Sequence, residues 1–92
     1  MQAIWNGTVI AESNDTVTVE GNYYFPFDSI KEEYYTKTEL TTFCGWKGMA
    51  NYYSVTVNGE TNKDCAWYYA EPNDAAMKIK GMVAFWNGVE VK

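Results

Sequence analysis

Tyr52-Tyr53-Ser54-Val55-Thr56-Val57 alternates with a period of two and runs straight into Asn58-Gly59. That period places Tyr53, Val55 and Val57 on one face of a strand and sends Tyr52 to the other. Asn-Gly supplies the two positive-φ positions of a type I′ turn, so the strand is expected to fold back as a hairpin. Outward from here the same grammar repeats. Asn6-Gly7 separates Ala3-Ile4-Trp5 from Thr8-Val9-Ile10-Ala11, and Asn87-Gly88 separates Val83-Ala84-Phe85-Trp86 from Val89-Glu90-Val91. Both read as further hairpins. Thr16-Val17-Thr18-Val19-Glu20 alternates between the turn residues Asn14-Asp15 and Gly21-Asn22; Tyr23-Tyr24-Phe25 stops at Pro26; Cys65-Ala66-Trp67-Tyr68-Tyr69 is a last aromatic strand. Seven or eight short strands with turn signals between them spell an all-β chain.

Two short helices are expected among the strands. Asp28 or Ser29 can cap a turn or two through Tyr35, and Ser29-Ile30-Lys31-Glu32 fits a capping box. The second runs from Pro72 to Lys80, with Pro72, Ala75, Ala76 and Ile79 on one helical face and Gly81 at the stop.

Composition sets the limits of function. The chain has 92 residues, enough for one domain, residues 1–92, with one modest core. Apolar residues make up 47% and aromatic residues 17%, while Leu40 is the only leucine, so large rings must do much of the packing. The formal charge is −5, with seven lysines and neither arginine nor histidine. That balance argues against nucleic acid and against an anionic membrane surface as partners. No histidine means no imidazole base and no Ser-His or Cys-His pair; no arginine means no bidentate clamp on phosphate. Cys44 and Cys65 do not make a zinc set, so no metal and no cofactor is expected. With no secretory signal at its start and no run of about 20 apolar residues, the chain reads as cytoplasmic, with both thiols reduced.

Two stretches carry chemistry. In Cys44-Gly45-Trp46-Lys47-Gly48 two glycines imply a tight loop, and the ammonium of Lys47 lies three residues from the Cys44 thiol. An enzyme would use Cys44 as nucleophile or redox thiol tuned by Lys47; otherwise Cys44 is a small buried hydrophobe. In Trp67-Tyr68-Tyr69-Ala70-Glu71-Pro72, Trp67 and Tyr69 share a strand face and Glu71 stands where the strand ends. A pocket lined by Tyr24, Trp46, Tyr52, Trp67 and Tyr69, with Lys47 and Glu71 for polarity, would hold a small molecule or a peptide. Alternate rings that only fill the core are the plainer account. A third reading is an interaction protein, a homodimer paired through an edge strand or an aromatic patch.

Several motifs occur in one order along the whole chain: Trp5-Asn6-Gly7, Glu20-Gly21-Asn22-Tyr23-Tyr24-Phe25-Pro26, Cys44-Gly45-Trp46-Lys47-Gly48-x-Ala50-x-Tyr52-Tyr53, Ala66-Trp67-Tyr68-Tyr69-x-Glu71-Pro72 and Ile79-Lys80-Gly81-x-Val83-Ala84-Phe85-Trp86. In these the chain resembles a family of small bacterial domains, domain-of-unknown-function family 427, also labelled nucleotidyltransferase-like. The resemblance implies an Mss4-like or β-tent fold, a mostly β architecture of two antiparallel sheets meeting along an edge with one or two short helices. Relatives of that fold often carry a zinc knuckle, for which this chain has no ligands. It also has no Gly-Ser followed by an Asp-x-Asp pair and no phosphate loop. Gly45 stands where the family usually has proline after the cysteine, and Tyr23 where histidine is frequent.

Overall fold

A computed structural model describes residues Met1–Lys92. The protein is mostly β, with nine strands in three antiparallel sheets and only 3-10 turns for helix. Strands β1 (Gln2–Trp5) and β2 (Thr8–Glu12) form the expected hairpin at Asn6-Gly7. A bulge in this pair lets the neighbours Ile10 and Ala11 both turn inward, which strict alternation forbids. Strands β3 (Val17–Val19) and β4 (Asn22–Tyr24) make a second hairpin. Its turn is Glu20-Gly21 rather than Gly21-Asn22, and both turn residues have positive φ, +54° and +79°.

The large sheet runs in the order β5 (Tyr35–Cys44), β6 (Gly48–Val57), β7 (Glu60–Tyr68), β8 (Val83–Phe85). Two bulges bend it on either side of β6. Thr38, Glu39 and Leu40 of β5 stand opposite the single residue Tyr52, and Lys63, Asp64 and Cys65 of β7 stand opposite Ser54. Asn58-Gly59 is the tight turn between β6 and β7. Asn87-Gly88 is not a hairpin tip. Strand β8 pairs with β7, while β9 (Glu90–Val91) crosses over to pair with β1, so this turn carries the chain from one sheet to another.

Both faces of the large sheet are covered. The rung Tyr53–Ala66–Phe85 points into a cluster with Ile10, Phe25, Val55 and Val57; the adjacent rung Tyr52–Trp67–Ala84 points the other way, toward Val19, Tyr24, Tyr69 and Ile79. The end of β4 and the residue after it, Phe25, link the two. Phe25 exchanges backbone hydrogen bonds with Val83 at 2.7 and 2.8 Å, and the successive residues Tyr24 and Phe25 are both fully buried, one in each cluster. The ring-rich composition appears as edge-to-face pairs, Tyr24–Trp67 at 6.3 Å and Phe25–Phe85 at 5.5 Å between centroids.

Neither expected helix is an α-helix. Ser29 does not cap; its hydroxyl donates to the Pro26 carbonyl, and the segment makes two short 3-10 turns, Phe27–Ser29 and Glu32–Tyr34. Asp74–Ile79 is a kinked 3-10 segment. Three residues per turn explain its burial: Ala76 and Ile79 face inward while Ala75 is exposed. Asn73 precedes it without a side-chain cap, and its carboxamide N–H donates to the Gly45 carbonyl. No helix is long and apolar enough to cross a membrane.

Candidate functional site

The second face of the large sheet opens to solvent at one end as a cleft of about 430 Å3, lined by Asn22, Lys47, Tyr52, Trp67, Tyr69 and Trp86. That size falls in the roughly 300–1,000 Å3 range of small-molecule sites. Register builds the floor. Tyr52 and Trp67 are direct cross-strand partners, and Trp67 faces Ala84, whose methyl group leaves room beside the indole. Tyr69 and Trp86 follow at two-residue steps beyond Trp67 and Ala84, so they continue the same face.

Hydrogen bonds hold the rings by their polar atoms. The Trp67 indole N–H donates to the Tyr24 hydroxyl at 3.1 Å, the Trp86 indole N–H to the Asp64 carbonyl at 2.7 Å, and the Tyr52 and Thr42 hydroxyls share a hydrogen bond at 3.0 Å. The two indole donors are therefore used within the protein and leave the cleft no free indole N–H.

The rim is a three-residue loop, Gly45-Trp46-Lys47, between β5 and β6. It is tied on two sides. Asn73 donates its backbone N–H to the Lys47 carbonyl at 2.9 Å and its carboxamide to the Gly45 carbonyl at 3.3 Å. Gly48 ends the loop at φ +110°, and a β-carbon there would sit 3.4 Å from the Asn73 nitrogen and 3.5 Å from the Glu71 carbonyl. On the other side Glu20 reaches over from the β3–β4 turn. Its carboxylate pairs with the Lys47 ammonium and accepts from the Trp46 indole N–H at 3.3 Å.

Lys47 is only 7% exposed. Its ammonium lies 5.5 Å from the Trp46 ring and 5.6 Å from the Tyr69 ring, within cation–π range. Burial alone would lower its pKa, but the hydrogen bond to Glu20 and the nearby Tyr24 and Tyr69 outweigh it, so the pKa rises and the charge is held. The hydrogen bonds from Lys47 and then Trp46 pull the Glu20 carboxyl below its ordinary range. Burial raises the Tyr69 hydroxyl even with Lys47 beside it.

Of the residues read from sequence, Lys47, Tyr52, Trp67 and Tyr69 come together in the cleft. Tyr24 is fully buried and supports Trp67 from below. Trp46 is 41% exposed and braces Glu20 and Lys47 without lining the cleft. Glu71 is exposed and also outside the lining. Cys44 is a half-buried free thiol at the foot of the loop, and the Lys47 ammonium is committed to Glu20. Asn22, Trp86 and Glu20 are additions. Glu20 left a trace in the sequence: it occupies a left-handed turn position of the kind that asparagine fills at Asn6, Asn58 and Asn87.

A family model described as a domain of unknown function, DUF427, matches residues 1–92. The chain belongs to that family. Among curated proteins none matches this DUF427 chain. Within the DUF427 fold no three histidine, cysteine, aspartate or glutamate side chains gather as a metal set.

Proposed function

We propose that this DUF427 domain is a binding module whose aromatic cleft holds a small molecule. One observation carries the reading: four rings, Tyr52, Trp67, Tyr69 and Trp86, share one open cleft with the shielded ammonium of Lys47 and the carboxamide of Asn22. None of these four rings packs against another of the four as a stacked or edge-to-face pair, whereas Tyr53 and Tyr68 in the first cluster stack at 4.6 Å. Each ring contributes about 0.5–1.5 kcal/mol of stacking beyond area burial. Set against the cost of association, that predicts affinity in the micromolar range or weaker. Both cysteines are free thiols, which suits a reducing compartment and supports reading the module as a cytoplasmic one. The bridge between Phe25 and Val83, where one sheet meets the edge of another, supports kinship with β-tent folds.

A metabolite screen read by tryptophan fluorescence and thermal shift tests the proposal. Trp86 is 53% exposed, so Trp86→Ala is expected to abolish binding of a hit while the far-UV spectrum stays that of wild type. Hits that bind Trp86→Ala as tightly as wild type would place the site elsewhere.

A further inference from the structure

The cleft has a sign. Among its six lining residues Lys47 is the one ionised side chain, and it is a cation; no carboxylate lines the space. Asn22 adds donors and an acceptor at the rim. The ring faces suit either a flat apolar group or a cation. A ligand cation, however, would lie beside an ammonium that already occupies the rings of Trp46 and Tyr69. Like charges in a partly desolvated site repel more strongly than in water. A flat group joined to an anion meets both demands.

The present counterion is replaceable. Glu20 is half-exposed, while its partner Lys47 is buried. It comes from a turn 27 residues away in sequence, and its side chain is held by Lys47 and Trp46 alone. It also keeps a left-handed backbone, φ +54°, that glutamate rarely adopts. Released from Lys47, its carboxylate swings into water that already reaches it. Lys47, by contrast, cannot lose an anionic partner without leaving a buried charge unpaired. An incoming anion therefore exchanges with Glu20.

We infer that the cleft binds a small planar carboxylate, its ring stacked on Tyr52 and Trp67 and its carboxylate taking the place of Glu20 on Lys47. The inference rests on the small-ligand reading of the cleft and adds the charge and shape of the ligand.

Three probes with one ring and different charge test it: indole-3-acetate, indole-3-acetamide and tryptamine, titrated calorimetrically. In the wild type the acid is expected to bind about tenfold tighter than the amide, with tryptamine weakest. In Glu20→Gln, which removes the internal competitor, the acid should tighten about threefold or more while the amide stays within about a factor of two. In Lys47→Met the advantage of acid over amide should vanish. If tryptamine binds as well as the acid, if acid and amide bind alike, or if Glu20→Gln leaves the acid unchanged or weaker, the ligand class is wrong and the cleft reading survives. If none of the three binds, the ligand class falls, while the cleft reading stands or falls by the metabolite screen and Trp86→Ala. Should either variant fail to fold, the wild-type series still decides which charge the cleft prefers.

Discussion

Glu20, in a hairpin turn, supplies the counterion for Lys47, in a loop of a different sheet. The two ends of this pair titrate in opposite directions. Glu20 is depressed below its ordinary 4.5, so its contribution to stability is present above that pH and is lost as pH falls through the folded value. Lys47 is raised above 10.5, so its contribution is present below that pH and is lost as pH rises through the folded value. The melting temperature of wild type is expected to exceed that of Glu20→Gln near neutrality, and the gap should close as pH falls below 4.5. A gap independent of pH would mean that the pair does not contribute through charge.

The Trp67 indole hangs on a fully buried hydroxyl, that of Tyr24. Tyr24→Phe keeps the edge-to-face ring contact and removes the acceptor. Leaving the indole N–H unpaired should cost about 1–3 kcal/mol by urea denaturation, with the m-value unchanged. A loss well below that range would show that water replaces the hydroxyl.

Gly48 holds a φ of +110° that side chains rarely adopt, with Asn73 packed close by. Gly48→Ala is expected to destabilise the fold by about 1–3 kcal/mol. The Asn73 and Lys47 amide resonances should shift most, because the Asn73–Lys47 hydrogen bond closes the loop at this point. Shifts centred elsewhere would contradict the clamp.

The two thiols should differ in reactivity. Burial pushes the Cys65 thiol up to about 11, while Cys44 is half-buried at the loop. Ellman's reagent at about pH 8 should therefore label one thiol per native chain, and the second only after denaturation. Two fast equivalents would show that the first core cluster opens readily.

Much of this architecture is legible in the sequence, for local reasons. Alternation through Tyr52–Val57 separates the ring that reaches the cleft, Tyr52, from the residues that fill the core, Tyr53, Val55 and Val57. At Asn6-Gly7 and Asn58-Gly59 the two flanking strands pair with each other, as the dipeptide predicts. Asn87-Gly88 has the same local chemistry, but β7 and β1 claim its two flanks, and that competition is not written in the dipeptide. The Pro72–Lys80 segment carries helix start and stop signals but winds as a kinked 3-10 segment, with Asn73 before it making no side-chain cap and donating its carboxamide to the Gly45 loop. The cleft follows the same division. Trp67 and Tyr69 share a face by counting, and Trp86 continues it two residues beyond Ala84 once β8 is known to pair with β7, whereas Asn22 and Glu20 join through contacts between sheets, which no period announces.

The bulge of Thr38, Glu39 and Leu40 has a consequence for how these molecules behave in a crowd. Strand β5 is ten residues long and lies at the edge of its sheet, with most of its residues exposed. Unbroken, such an edge would be a template on which a second chain adds as another strand and then a third. The bulge interrupts the ladder near its middle and sets Lys37 and Glu39 at the break. A visiting strand finds two short stretches out of step with each other, and neither is long enough to seed a fibre. The bend in β5 thus guards the exposed edge against runaway polymerisation.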